Sequence, residues 1–520
     1  MNRREFLKRM SAGLAGMGLT RTIWSAPTGA AASAPSSHHP NIIFILTDDQ
    51  GWPETSFRMD PKVADSTCPY FETPNMARLA GQSMRFTSGY APAPICTPTR
   101  RSIQCGMTPA RERGTEFPSD NFVPADHLTI PKALKAVDPN YRCAHFGKWG
   151  EKMLSTPEQV GYDVSDGETG NETGGGMGGK GADRQPIVAP EPKDDPKLIF
   201  SLTQRAMEFM EKQVGEKRPF YMQVSYYAVH HQIQYRADTV AKYRAKGDPQ
   251  RDAPLEFASM LEDLDTGVGQ LLAKIDALGI AGDTFVFFSA DNGGAEHDPK
   301  NPLYVKHLGV APKAAAAGAD DAKEDGTDDL AAPPNPSGKP RLPDDHPLRG
   351  AKQWLYEGGI RVPFLVRGPG IKAGALCGEP VVQYDLLPTF VDLAGGKGPL
   401  PDDLDGGSVR PLLENDGKGT VKRALPGLVF HRPQRGYSAF RQGDYKLVVN
   451  WAREKKELFD LSKDVGEEND LSAKMADNTA EMYATLTDYL KKVNAETYQK
   501  PTPKAGQKKA PQKKAPQKKA

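Results

Sequence analysis

The sequence predicts an α/β fold: a large, mostly parallel sheet flanked by helices, plus a smaller C-terminal antiparallel sheet with one packed helix. Three observations predict it. Asn41 to Thr47 (N-I-I-F-I-L-T), Pro219 to Ser225 (P-F-Y-M-Q-V-S) and Thr284 to Ser289 (T-F-V-F-F-S) are short apolar runs of the kind buried on both faces of a parallel sheet. Leu261, Leu264, Val268, Leu271, Ile275 and Leu278 follow helical 3-4 spacing up to Gly279, which is placed to end a helix just before the third run. From about Gly436 the character changes. Tyr437 to Arg441, a turn at Gly443-Asp444 and Tyr445 to Asn450 read as a hairpin, and Met482, Leu486, Tyr489, Leu490 and Val493 share one helix face.

Each apolar run leads into polar residues: Asp48-Asp49 after the first, His230-His231 after the second, Asp291-Asn292 after the third. Open α/β sheets collect ligands at the carboxyl ends of their strands, so the three clusters can converge on one edge. The expected organisation is a leader and linker over 1–39, a main domain over 40–430, an α+β unit over 431–496 and a Lys-rich tail over 497–520. Within it, 166–181 is glycine-rich, and 311–347 is an aperiodic Ala/Asp/Pro/Lys stretch that reads as a surface insertion.

With 67 Lys+Arg against 66 Asp+Glu, the net charge of +1 gives no global electrostatic case for a nucleic-acid partner. Asn2-Arg3-Arg4-Glu5-Phe6-Leu7-Lys8, a mildly apolar run from Met10 to Leu19 and small residues from Ser25 to Ala34 have the order of a twin-arginine signal peptide. That predicts the twin-arginine export machinery as a partner and a bacterial periplasmic or secreted location. No later run reaches the length of a transmembrane segment. The five cysteines are irregularly spaced, lack any C-x-x-C pair and are odd in number, which does not make a disulfide framework.

Cys96-Thr97-Pro98-Thr99-Arg100 fits the pattern C-x-P-x-R. Around it, in order, stand Asp48-Asp49, Gly147-Lys148-Trp149, His230, Asp291-Asn292, Gly350-Ala351-Lys352 and Tyr356-Glu357-Gly358-Gly359-Ile360-Arg361-Val362-Pro363. Leu404-Asp405-Gly406-Gly407-Ser408 and Glu457-Leu458-Phe459-Asp460-Leu461 close the series. On these motifs the chain resembles the type I, formylglycine-dependent sulfatases of the alkaline-phosphatase-like superfamily.

The resemblance implies that Cys96 is oxidised to formylglycine (3-oxoalanine) by a formylglycine-generating or radical maturation enzyme. A plain cysteine would be trapped as its sulfur-linked adduct, whereas an aldehyde hydrate has one hydroxyl to attack sulfur and a second whose deprotonation expels sulfate. Asp48, Asp49, Asp291 and Asn292 offer only oxygen ligands, which suits calcium at least as well as magnesium and disfavours zinc. The resemblance points to one calcium held by these four and by the group formed from Cys96. It places Arg100, Lys148 and Lys352 on the anion and His230 as general acid, an imidazole titrating near working pH. His231 points away by strand alternation.

One position departs from the family. G-K-W-H is common there, but Gly150 follows Trp149. The proton acceptor for sulfate release is then expected from Asp291 or from a histidine elsewhere, such as His145. Hydrolysis of sulfate monoesters on a sulfated carbohydrate is the leading reading. A phosphoester hydrolase of the same superfamily would typically use Ser or Thr with two zinc ions and several histidines. An unmodified glycan-binding protein would rely on the Lys-rich tail.

Overall fold

The structure is a computed structural model that describes residues 39–116, 124–150, 153, 155–170, 177–178, 185–186, 194–230, 233–247, 255–295 and 347–500. The leader up to 38, His231, most of the glycine-rich segment after 170, the 311–346 stretch and the tail after 500 lie outside the described residues.

Eight strands form the central sheet: β1 (Asn41–Thr47), β2 (Met84–Phe86), β3 (Arg142–Gly147), β4 (Val164–Ser165), β5 (Phe220–Ser225), β6 (Thr284–Ala290), β7 (Phe364–Arg367) and β8 (Leu376–Cys377). Their spatial order is β8-β2-β7-β6-β1-β5-β3-β4. Only β7 runs against the rest, pairing antiparallel with both β6 and β2. The expectation of a large, mostly parallel sheet is met.

β1 lies in the middle, parallel to β5 on one side and β6 on the other. Its unbroken apolar sequence follows from cover on both faces. Ile43 and Ile45 pack with Leu202, Leu264, Val268 and Leu271 of the Ile199–Gly215 and Leu255–Ala277 helices. Ile42, Phe44 and Leu46 pack on the other face with Leu386, Leu387 and Phe390 of the Leu386–Leu393 helix. At about 25 cal/mol per Å² of apolar surface buried, such a strand leaves no position where a polar side chain is free of cost. The Leu255–Ala277 helix begins upstream of the predicted stripe because Phe257 and Met260 extend it into the same core.

The predicted hairpin is the centre of a four-stranded antiparallel meander: β9 (Leu428–Arg432), β10 (Tyr437–Gln442), β11 (Tyr445–Asn450) and β12 (Lys455–Asp460). On one face, Val429, Phe440, Leu447 and Leu458 cover Met482, Leu486 and Tyr489 of the Ala476–Lys492 helix. The opposite face meets Tyr90, Leu355, Tyr356 and Ile360. Lys446 is fully buried at that seam, with Nζ 2.8 Å from Glu357 Oε1 and 2.8 Å from Glu467 Oε1. The meander is therefore tied to the segment that carries Lys352.

Candidate active site

The register of the parallel strands brings the three polar clusters together. Leu46 pairs with Ser225 and Thr47 with Ala290, so the chains leaving β1, β5 and β6 start side by side. Asp48 extends the pairing one step: its amide donates to Ala228 O at 3.0 Å, and Val229 N donates back to Asp48 O at 2.7 Å. That contact brings His230 in, with Nε2 3.7 Å from Asp49 Oδ2. Asp49 takes a left-handed φ of 59°, and its amide donates to Asp291 Oδ1 at 3.1 Å. Asn292 Nδ2 donates to Asp49 Oδ1 at 2.7 Å.

Cys96 is the first residue of a helix, Cys96–Cys105, that is buried throughout. The positive end of the helix dipole favours an anion there. Arg100 lies four residues on, hence on the same helix face. Its Nε donates to Asp291 Oδ2 at 2.9 Å and its Nη1 to Lys148 O at 2.6 Å. Lys148 follows β3 and places Nζ 2.5 Å from Asp48 Oδ2, while Lys352 Nζ stands 2.8 Å from Asp49 Oδ2. Three aspartates thus face three cations. The side chains of Asp48, Asp49, Arg100, Lys148 and His230 are at most 3 % exposed, but that of Lys352 is 18 % exposed, so the site opens on the Lys352 side.

Burial pushes the Cys96 thiol up, although Lys148 and Lys352 pull the other way. As a thiol it stays protonated and weakly nucleophilic. Burial also acts to raise Asp49, but Lys352 and Lys148 outweigh it and hold the carboxyl below its usual range. Asp291 is pushed up to about 7 by burial and by Asp48, against Arg100 and Lys148. Burial disfavours the charged forms of Arg100, Lys148 and Lys352, yet the facing aspartates keep all three raised.

Two buried oxygens in this cluster, Asp48 Oδ1 and Asn292 Oδ1, have no hydrogen-bond partner. Buried acceptors are rarely left unpaired, and a hard cation satisfies oxygens that no N–H reaches. Donor atoms of Asp48, Asp49 and His230 lie within 4.8 Å of one another, close enough to share an ion. The residues therefore fit a cation. His230 enters this grouping although the sequence pointed to it only as an acid, whereas Asp291 turns its Oδ2 to Arg100.

Gly150 has φ 138°, and a Cβ built on it would stand 2.9 Å from Met153 Sδ. The departure from G-K-W-H is thus built into the backbone, where no histidine fits without moving Met153. His145 does not fill the place. It sits on β3 among Trp149 and Tyr162, ring centroids 4.9 and 5.6 Å away, with Nε2 3.1 Å from Ser225 Oγ. Burial, with Arg100 adding to it, takes it down to about 3, so it stays neutral. Asp291 meets Asp49 N with one oxygen and Arg100 with the other.

Sequence patterns gave no sign of Gln353, Arg432 and Arg435. Gln353 holds a left-handed φ of 80° beside Lys352, and its backbone O accepts from Arg432 Nη1 at 2.8 Å. Those arginines lie some eighty residues downstream on the meander, a distance no local motif spans.

A pocket that balances buried carboxylates with buried cations, keeps two oxygens for a further cation and sets Cys96 at a helix start is suited to an anionic ester. An open α/β sheet with this site defines a hydrolase of sulfate or phosphate esters. Comparison with known proteins separates the two: the chain belongs to the sulfatase family, whose model matches residues 40–396. It is a sulfuric ester hydrolase. A second match, to the C-terminal region of N-sulphoglucosamine sulphohydrolase, covers residues 350–496. The chain is 28% identical to arylsulfatase A of Bos taurus, covering 86% of each chain. It is 26% identical to N-acetylgalactosamine-6-sulfatase of Mus musculus over 74% of this chain and 67% of that one. With an ulvan-active sulfatase of Formosa agariphila it shares 25% identity over 88% and 84%. The crystal structure of Ps i-CgsB has the same fold, with TM-score 0.64 and 23% identity over 87% of this chain and 93% of that one.

Proposed function

We propose that this protein releases sulfate from a sulfated carbohydrate, using a formylglycine formed from Cys96 and one calcium held by Asp48, Asp49, Asp291 and Asn292. The observation that carries the reading is the setting of Cys96, at the start of a buried helix and within the fields of Lys148, Lys352, Asp48 and Asp291. A buried, protonated thiol has little use for such a setting, and its oxidised, hydrated form has much. Bound calcium supplies a Lewis acid that polarises the sulfuryl group. Lys148 and Lys352 neutralise the anion, Arg100 fixes Asp291 through its planar fork, and His230 hands a proton to the leaving oxygen. With three aspartates matched by three side-chain cations, a divalent ion makes the pocket cationic overall, which suits a sulfate ester.

A carbohydrate substrate is supported by the names of the relatives, which act on N-acetylgalactosamine 6-sulfate and on ulvan. The leader supports twin-arginine export to the periplasm or beyond, after a maturation enzyme has modified Cys96 in the cytoplasm. Among the described residues no helix is long and apolar enough to cross a membrane. The test is peptide mass spectrometry across Cys96 in protein from the native host, with turnover on matched sulfate and phosphate esters. The expected result is an aldehyde at position 96 and release of sulfate. Unmodified cysteine in an active enzyme would remove the formylglycine, and turnover of phosphate esters alone would remove the sulfatase chemistry.

A further inference from the structure

The net charge of +1 hides a segregation. Residues 39–500 hold 55 of the 67 Lys+Arg and 65 of the 66 Asp+Glu, a net of −10, whereas 501–520 hold seven lysines and no acid. Residues 1–38 supply the remaining five bases and one acid. A body at −10 repels a polymer of sulfated sugars at long range, although its chemistry needs a sulfate ester to arrive. A basic segment on the same chain offsets that repulsion.

The segment beyond Lys500 carries charge and little else. Gln-Lys-Lys-Ala recurs at 507–510, 512–515 and 517–520, with Pro511 and Pro516 between the copies. Its other residues are Pro, Thr, Ala, Gly and Gln. It has no aromatic side chain to stack on a nucleobase, and no Leu, Ile, Val, Phe or Met to enter a lipid bilayer. Lysine is a compact point charge and does not demand the fixed two-pronged geometry of arginine. Pairs of such charges at five-residue intervals suit a partner whose own charge repeats along a chain.

The described chain fixes the point from which this segment starts. After the Ala476–Lys492 helix, Ala495 N donates to Leu490 O at 2.9 Å. Glu496 O lies 2.8 Å from His431 Nε2 on β9, and Glu496 Oε2 accepts from Thr115 N at 3.2 Å. The root of the basic segment is therefore held to both the meander and the main domain. Twenty residues span at most about 70 Å, so all seven lysines stay within that distance of the catalytic body.

We infer that residues 501–520 are a second binding site, which holds a sulfated polysaccharide by its repeated negative charge while the pocket works on the same polymer. The inference rests on the sulfated-carbohydrate reading and adds to it that the substrate is polymeric. The segment contributes to capture and not to the chemical step. A small ester, too short to meet both the pocket and the lysines, gains nothing from it.

The test compares the full chain, a chain ending at Lys500, and a full-length variant in which all seven lysines of 501–520 are replaced by glutamine. Affinity is measured for dextran sulfate and for uncharged dextran, beside kcat/KM on 4-nitrophenyl sulfate. At about 50 mM salt the full chain is expected to bind dextran sulfate at least roughly tenfold more tightly than either altered chain, and the gap should close near about 500 mM, where counterion release loses its drive. Uncharged dextran should bind to none of the three, and turnover of 4-nitrophenyl sulfate should be the same in all. Altered chains that bind dextran sulfate as the full chain does would overturn the inference. So would tighter binding of the full chain to phosphatidylglycerol vesicles matched in anionic charge, which would assign the segment to a lipid surface. Lysine-dependent binding in a matured enzyme that releases no sulfate from 4-nitrophenyl sulfate or from sulfated disaccharides would defeat the hydrolase reading and still support the segment's affinity.

Discussion

Arg100 grips Asp291 with two nitrogens, Nε at 2.9 Å and Nη2 at 2.7 Å, both on Oδ2. Both side chains are at most 1 % exposed. The same guanidinium ties Asp291 to the peptide that leads Lys148 into the pocket. One planar group therefore sets the relative position of a carboxylate and an ammonium drawn from different strand ends.

Arg100→Lys keeps a positive charge and loses that geometry. The expected outcome is a fall of about 10²- to 10³-fold in kcat/KM, comparable to losing one preorganised donor at an active site, with the melting temperature little changed. Arg100→Ala should instead destabilise by about 3–5 kcal/mol, because Asp291 is left buried without its main partner. Steady-state kinetics on Arg100→Lys at wild-type speed would reduce the contact to a structural one.

His230 donates to the leaving oxygen in the proposed chemistry, so its loss should depend on the leaving group. His230→Gln is expected to lower kcat by about 10²- to 10⁴-fold on a sugar sulfate, whose alkoxide needs the proton. On 4-nitrophenyl sulfate, whose phenolate leaves unaided, the fall should be much smaller. Equal losses on the two substrates would argue for a ligand or positioning role, to which the closeness of His230 to Asp48 and Asp49 also lends itself.

Asp48 Oδ1 and Asn292 Oδ1 are acceptors that a cation would satisfy. Calcium at 100 times its dissociation constant should stabilise the fold by about 2.7 kcal/mol, read as a rise in melting temperature over protein held in chelator. Asp48→Asn and Asn292→Ala should shrink that rise. Identical melting curves in chelator and in calcium would remove the cation from this site.

At the seam between the meander and the Lys352 segment, burial pushes Glu467 up to about 7; Lys446 acts against this and Glu357 reinforces it. A folded value above the unfolded one, about 4.3, means the group contributes stability that is fully present below pH 4.3 and lost as pH rises through 7. Glu467→Gln keeps an acceptor for the Glu357 amide, which Glu467 Oε2 now meets at 2.7 Å, and removes the titration. Between pH 4.5 and 7.5 the melting temperature of the variant should therefore gain steadily on that of the wild type. Parallel profiles across that window would show that Glu467 does not titrate there.

Much of the fold could be read in advance because β1, β5 and β6 are covered on both faces, which favours apolar residues along most of each strand. β3 escaped notice. Its sequence R-C-A-H-F-G is interrupted by His145, which is tolerated inside only because Ser225 and the Trp149–Tyr162 rings receive it. β7 and β2 are short, and their antiparallel pairing joins segments far apart in the chain. The polar residues at the three strand ends were legible because the carboxyl edge of a parallel sheet is where such residues must collect.

The sequence alone determined the chemical inventory: a cysteine in C-x-P-x-R, carboxylates after buried strands, a histidine and three cations, and the glycine standing where the family has a histidine. Only the tertiary structure decided which carboxylate faces which cation, that Gly150 adopts a positive φ that residues with a side chain rarely take, and that Gln353 joins the Cys96 loop to Arg432 and Arg435. The reason is physical. Residue type and local spacing fix what a strand or helix can bury, but contacts between side chains hundreds of residues apart depend on strand order and register, which form only when the whole sheet does.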